Sequence, residues 1–170
     1  MISKKELIVP QFYTTYVNKV GDEDIITALN KNTQEFTALL QTVTPAQHNY
    51  AYAPGKWTIK EMLQHIIDAE RVFTLRAVWF ARKDASPQPG FDENLWAANA
   101  PVDHRLWEDL VKEFNALRTA TTLLFASFND QQLLQTGVAN NSTLSVATLG
   151  YVCAGHVWHH MGVLRDRYGI

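Results

Sequence analysis

Cysteine is almost absent from this chain, which excludes folds that depend on internal disulfides. The 170 residues contain one cysteine, Cys153, so the fold must be held together by burial of apolar side chains. Hydrophobic residues make up 46% of the sequence, which is enough for one sizeable core. We therefore expect residues 1–170 to form a single domain.

The sequence also lacks a cluster of basic residues. Its 15 lysines and arginines are interspersed with 17 acidic residues. Because no basic stripe can follow a phosphate backbone or bind a lipid surface, we expect neither nucleic acid nor membrane as a partner. No apolar run is long enough for a signal peptide or a bilayer-spanning helix, which predicts a cytoplasmic protein.

Strand-like alternation of apolar and polar residues is missing as well. Apolar residues recur instead at spacings of three and four, which predicts helices. Four helices are expected: from Asp22 to Thr44, from the N-cap Thr58 to about Lys83, from the N-cap Asp103 to Phe128, and from the N-cap Ser145 to Tyr168. Residues 1–20 are interpreted as an extended N-terminal arm, with or without one helical turn, that lies over the bundle, and 84–103 and 129–143 as long irregular connections.

Two histidines of the fourth predicted helix lie one turn apart. His156 and His160 fall in the middle of its apolar face. Two imidazoles at this spacing can bind one metal ion, whereas on a packing face each needs a buried hydrogen-bond partner. The pair predicts a metal site, with a buried polar core as the alternative.

A third histidine sets the expected topology. His65 lies as far from the start of its helix as His160 does from the end of its own, so the two are level only if these helices are antiparallel. This favours an all-α four-helix bundle of up-down-down-up topology, in which residues 84–103 cross about 35 Å of bundle length. Three imidazoles leave a coordination position open, as at a catalytic metal ion.

Other polar residues near these histidines have two interpretations each. His159 either replaces His156 or His160 as a metal ligand or is a polar neighbour of the ligands. Cys153 is either a ligand for a soft metal or a small buried residue. Glu61, one turn before His65, either serves only to complete a capping box with Thr58 or also acts in catalysis. Asp68 is one turn after His65 and is either exposed or hydrogen-bonded to that imidazole.

The loop acids Asp92 and Glu93 are the candidate catalytic residues. They could reach the mouth of the histidine site as a base or as substrate contacts, or they could fix a turn. Trp79 and Trp158 lie away from the apolar stripes of their helices, which suggests either a partner surface or packing by the N-terminal arm.

Three segments carry a family resemblance: Ala53-Pro-Gly-Lys-Trp-Thr-Ile-Lys-Glu-Met-Leu-Gln-His65, Pro89-Gly-Phe-Asp-Glu-Asn94, and Gly155-His-Val-Trp-His-His160 followed by Leu164-Arg-Asp-Arg167. Together they resemble the DinB-like superfamily, also called YfiT-like or DinB_2, over nearly the whole chain. The resemblance implies an up-down-down-up bundle, usually a homodimer, with a divalent metal held by His65, His156 and His160.

The resemblance also implies a type of chemistry. Members of known activity are metal-dependent transferases that use low-molecular-weight thiols, or related isomerases and hydrolases. We therefore expect an enzyme that activates a thiol or water for transfer to, or hydrolysis of, a small molecule. Zinc or nickel is the expected metal, and iron or cobalt also suits three imidazoles. The alternative function is a non-catalytic dimeric module that binds a metal or a ligand.

Overall fold

The segments with apolar residues at spacings of three and four are helical in the computed structural model. The structure describes residues 2 and 4–170. Met1 and Ser3, at the start of the predicted arm, lie outside the described residues. The α-helices of this part are α1 (Gln11–Val17), α2 (Ile25–Thr42), α3 (Ile59–Ala81), α4 (Glu93–Asn99), α5 (Trp107–Ala126), α6 (Asp130–Leu133) and α7 (Val146–Val163). A π-helical turn, Leu164–Tyr168, continues α7, and the strands are β1 (Thr136–Ala139) and β2 (Ser142–Ser145).

The four long helices α2, α3, α5 and α7 form a bundle in which both α5 and α7 pack against α2 and α3. Helices α2 and α7 are parallel. Near their starts Ile25 lies against Gly150, and further along Trp158 donates a hydrogen bond of 2.7 Å from Nε1 to Glu35. The predicted all-α four-helix bundle is confirmed.

Helices α3 and α5 are also parallel to each other. Lys60 donates to the carbonyl oxygen of Arg105 at 2.7 Å just before α5 begins, and further along both helices Arg71 pairs with Glu113 at 2.5 Å. Helix α3 contacts α7 in the opposite sense, since the His65 ring lies beside His160 and a later α3 residue, Phe73, lies beside the earlier His156. The order is up-down-down-up, as predicted.

Helix boundaries follow the predicted signals at two of three N-caps. The Thr58 hydroxyl accepts from the Glu61 amide at 3.2 Å, and the Glu61 carboxylate accepts from the Thr58 amide at 2.6 Å, which confirms the capping box. Ser145 is the N-cap of α7, although its hydroxyl pairs with that of Thr148. Asp103 as the cap of α5 is wrong: a turn closed by Arg105 intervenes, and α5 begins at Trp107.

The connections contain more regular structure than the sequence pattern indicated. The N-terminal arm contains α1, and the 84–103 connection contains α4. The expectation of no strand is wrong, since β1 and β2 form an antiparallel hairpin within 129–145. Each strand has four residues, too few for alternation to stand out, and Asn140 and Asn141 form the turn at positive φ (48° and 58°).

A buried ion pair ties three bundle helices together. Glu70 of α3 and Arg118 of α5 lie 2.7 Å apart, each side chain 2% exposed. Thr121 donates to the other Glu70 oxygen at 2.6 Å, and Arg118 donates to the carbonyl oxygen of Cys153 in α7 at 3.3 Å. Burial raises the pKa of Glu70, and the arginine and Thr121 oppose that rise.

No described helix is long and apolar enough to cross a membrane.

Replacing only the cation of this pair should destabilise the fold. We expect Arg118→Met to lower the free energy of unfolding by about 3–5 kcal/mol, because it leaves the Glu70 carboxylate buried without a countercharge. Urea unfolding followed by circular dichroism measures the change. The double variant Glu70→Leu/Arg118→Met is the control and should recover most of the loss. A double variant as unstable as the single one would contradict the electrostatic explanation.

Candidate metal centre

Three imidazoles from α3 and α7 meet at one point. Nε2 of His156 lies 3.1 Å from Nε2 of His65 and 3.1 Å from Nε2 of His160, and the three candidate donor atoms lie within 4.8 Å of one another. Two imidazole nitrogens bound to one ion at about 2.0–2.1 Å lie about 2.9–3.4 Å apart. The two spacings of 3.1 Å therefore fall within the range expected for ligands of a single divalent ion.

Hydrogen bonding alone satisfies this cluster poorly. A neutral imidazole nitrogen carries either one proton or one lone pair, so Nε2 of His156 must share that single site between two neighbours. Nδ1 of His160 is buried and has no partner among the described residues. A cation that accepts all three Nε2 lone pairs removes the conflict at the shared nitrogen, so the residues present fit a metal ion.

Burial keeps these imidazoles neutral. Desolvation lowers the pKa of His65 to about 4, with a smaller effect from His159. Desolvation first, and then neighbouring histidines, lower the pKa values of His156 and His160 well below the usual value. Since protonation competes with metal binding, the lone pairs stay available into mildly acid solution. The lowered pKa of His65 also makes stability depend on pH. As pH falls from about 6.5 to 4, the free energy of unfolding decreases, because the unfolded chain binds a proton at His65 that the folded chain does not.

The cluster forms one wall of a cavity of about 350 Å³. His65 is half-buried, whereas His156 and His160 are buried. Aromatic rings surround the imidazoles: Trp57 lies 4.6 Å from the His65 ring and Tyr16 lies 5.3 Å from the His156 ring, centroid to centroid. A second cavity of about 250 Å³ is also bordered by Trp57 and His160.

Helix α1 packs over the site, and Gly155 of α7 allows it to come this close. A Cβ added to Gly155 would collide with the carbonyl oxygen of Tyr16, so α1 can approach α7 only at a residue without a side chain. Sequence reasoning missed Tyr16 as a site residue, as it missed the cavity-lining Phe73 and Arg76. Gly155 beside His156 was the available signal for close packing at this point.

The two loop acids lie in different surroundings. Asp92 is the N-cap of α4, where its carboxylate accepts from the amides of Asn94 and Leu95 at 2.9 and 3.0 Å. Glu93 lies in the first turn of α4, is exposed, and borders the cavity. His159 also borders the cavity, with its ring beside Tyr16.

The remaining candidates have local partners. Glu61 is held in its capping box, and Asp68 accepts from Gln64 at 3.0 Å and pairs with Arg71 at 3.4 Å rather than with His65. Cys153 is buried, with a thiol pKa raised well above its usual value chiefly by desolvation. The half-buried Trp158 is hydrogen-bonded within its own chain, as described above, and Trp79 is half-buried against the core.

A model of the DinB superfamily matches residues 28–164, which include all three clustered histidines. Two curated relatives are named as proposed metal-dependent hydrolases. The protein from Oceanobacillus iheyensis is 27% identical over 157 residues, covering 89% of this chain and 78% of the relative. The one from Geobacillus kaustophilus is 25% identical over 154 residues, covering 86% and 85%.

Solved structures share the fold at lower identity. YfiT from Bacillus subtilis, described as a probable metal-dependent hydrolase with an unusual four-helix bundle topology, aligns with a TM-score of 0.71 at 18% identity over 85% of this chain and 86% of YfiT. A mycothiol-dependent maleylpyruvate isomerase aligns with a TM-score of 0.66 at 13% identity, covering 86% of this chain and 61% of that protein.

Adding a methyl group at Gly155 should separate α1 from α7. We expect Gly155→Ala to lower the free energy of unfolding by about 1–3 kcal/mol, because the overlap with Tyr16 outweighs the helix-favouring effect of alanine. Urea unfolding measures it. Gly162→Ala in the same helix is the matched control, since a Cβ there meets nothing within 4 Å; it should be neutral or stabilising. Equal effects of both substitutions would contradict the proposed close approach.

Proposed function

The chain belongs to the DinB superfamily, and from that premise we propose that it is a metal-dependent enzyme acting on a small molecule. His65, His156 and His160 would hold one divalent ion. The observation that carries the proposal is the meeting of three imidazole nitrogens, kept neutral by burial, at the wall of a cavity that can admit a substrate.

The chemistry follows from the donor set and from the cavity. A divalent ion bound there supplies a Lewis acid that lowers the pKa of a coordinated water or thiol. Tyr16, Trp57 and Phe73 place apolar surface around the reacting groups and limit access of bulk water. Glu93, whose carboxylate borders the cavity, is the proposed proton acceptor. Asp92 positions it by capping the helix on which Glu93 lies.

Hydrolysis and thiol transfer are both supported by named proteins. The curated relatives are named for metal-dependent hydrolysis, which favours water as the nucleophile. The isomerase that shares the fold is named for its dependence on a low-molecular-weight thiol. Three imidazole ligands suit zinc or nickel, and iron or cobalt as alternatives. An accessible cavity beside the histidines favours the enzyme over a non-catalytic metal- or ligand-binding module.

Metal binding should depend on all three histidines. Protein purified without a metal-affinity tag should contain about one divalent ion per chain by elemental analysis. A metal at a hundred times its Kd adds about 2.7 kcal/mol, so chelation should lower the melting temperature by about 5–10 °C. Alanine at His65, His156 or His160 should abolish this difference between loaded and chelated protein.

The control for the metal experiment is His104→Ala, because His104 is exposed and lies outside the cluster. This variant should keep both the bound metal and the full melting difference. The readout is the loaded-minus-chelated difference within each variant, so a loss of stability from the substitution itself does not affect it. An undiminished difference in the three cluster variants would exclude the proposed site.

A homodimer is the proposed assembly. Trp79 and Trp158 no longer support it, since both are half-buried within the chain. Leu75 of α3 and Leu123 of α5 are 53% and 66% exposed on neighbouring helices, and they are the proposed contacts between the two copies. We expect sedimentation of the wild-type protein at micromolar concentration to give a dimer, and Leu123→Glu to give a monomer. A monomeric wild-type protein would contradict the proposal.

A further inference from the structure

Arg76 is a buried cation without an anionic partner among the described residues. Arg76 of α3 is 3% exposed. Its guanidinium donates to the hydroxyl of Tyr13 at 3.3 Å and to the carbonyl oxygen of Pro89 at 2.5 Å. Both partners are neutral, and within residues 2 and 4–170 no carboxylate forms an ion pair with Arg76. The other buried arginine, Arg118, is paired with Glu70.

This arrangement is unfavourable unless an anion binds there. A guanidinium stays charged in proteins, and a buried charge is ordinarily paired because desolvation is costly. It has five N–H donors arranged in a fork that matches a carboxylate. The hydrogen bonds to Tyr13 and Pro89 use only part of this capacity. Arg76 also lines the cavity that contains the three histidines, so a ligand in that cavity can reach it.

The position of Arg76 gives the distance that such a ligand must span. Arg76 follows His65 by eleven residues, about three helical turns, so both lie on one face of α3 with a rise of about 16 Å. The cluster is nearer to Arg76 through α7, because Phe73, one turn before Arg76, has its ring 5.7 Å from that of His156, centroid to centroid. The remaining gap is on the order of 10 Å.

The cavity between these two ends is mostly aromatic. Phe73 and Phe91 line it, which suits an apolar ligand body. Gly90 and Asn140 also line the cavity and lie against each other, and Gly90 follows Pro89, whose carbonyl Arg76 contacts. The carboxylate in the cavity lining belongs to Glu93, which also borders a smaller pocket together with His65. The negative charge of the lining thus lies at the histidine end.

We propose that the substrate carries a carboxylate that binds Arg76, with an apolar body along the aromatic walls and its reactive group at the three histidines. Arg76 is then a specificity-determining residue that selects acids over neutral molecules. The placement of the reactive group rests on the proposed function, whereas the carboxylate site does not require a metal.

The first test uses metal-free protein, so that an acid cannot bind to a metal. Calorimetry at pH 7.5 compares 4-phenylbutyrate with its neutral isostere 4-phenylbutanamide on chelated protein. A charged hydrogen-bonded contact predicts that the acid binds at least about tenfold more tightly. Equal affinity for acid and amide, or no binding of the acid at millimolar concentration, would overturn the proposal.

Variants then assign that preference to one side chain. Arg76→Gln should remove the preference for the acid, and Arg76→Lys should retain only part of it because an ammonium lacks the fork. Arg82→Gln is the matched control: it removes the same charge from the exposed end of the same helix and should keep the preference. If Arg76→Gln fails to fold, the wild-type comparison and Arg76→Lys still decide. A preference unchanged in a folded Arg76→Gln would refute the assignment.

A second test separates this inference from the metal proposal. On zinc-loaded wild-type protein, suberic acid monohydroxamate is compared with octanohydroxamate, which has the same chain and metal-binding group but no acid. Tighter binding of the acid supports both proposals. Equal binding of the two would leave the metal site standing and contradict the role of Arg76. If both hydroxamates bind equally well to zinc-loaded and chelated protein, the metal proposal fails. The comparison of 4-phenylbutyrate with its amide on chelated protein then still decides the carboxylate site.

Discussion

Three imidazoles that face one another constrain the order and direction of the bundle helices. His156 and His160 lie on one turn of α7, so only a helix antiparallel to α7 can place His65 at the same height near its own start. Since α2 is parallel to α7 and α5 is parallel to α3, the chain must cross the bundle between α3 and α5. The residue 84–103 connection makes this crossing, and it carries α4 with Glu93 to the edge of the cavity.

The parts of this arrangement that the sequence predicted are those encoded locally. Spacing by four residues places His156 and His160 on one face, and the capping box of Thr58 and Glu61 marks the start of α3. The distances of His65 and His160 from their helix ends then imply the topology. The hairpin and α4 were missed because such short elements show little periodicity. Asp103 was misassigned as a cap because a good capping residue can equally lie in a turn.

The surroundings of the histidines could be predicted less well, because they come from elements remote in sequence. Tyr16 reaches the site only through the close approach of α1 to Gly155, which no local pattern specifies. Arg76 was a detectable exception: it lies beside Ala77 and one turn after Phe73, within the apolar stripe of α3. A charged residue at such a position calls for a partner. Its partners are neutral and distant in sequence, so their identity required the structure.

The two buried arginines differ in the groups that compensate their charge. Arg118 is compensated within the chain by Glu70, to which Thr121 also donates, and its pairing holds α3, α5 and α7 in fixed positions. Arg76 keeps its charge unpaired by any described acid and faces the cavity, as the neutral histidines do. Such groups reduce the stability of the free protein and raise its affinity for a complementary ligand. A core fixed by one arginine can therefore tolerate a second whose countercharge is left for the substrate to supply.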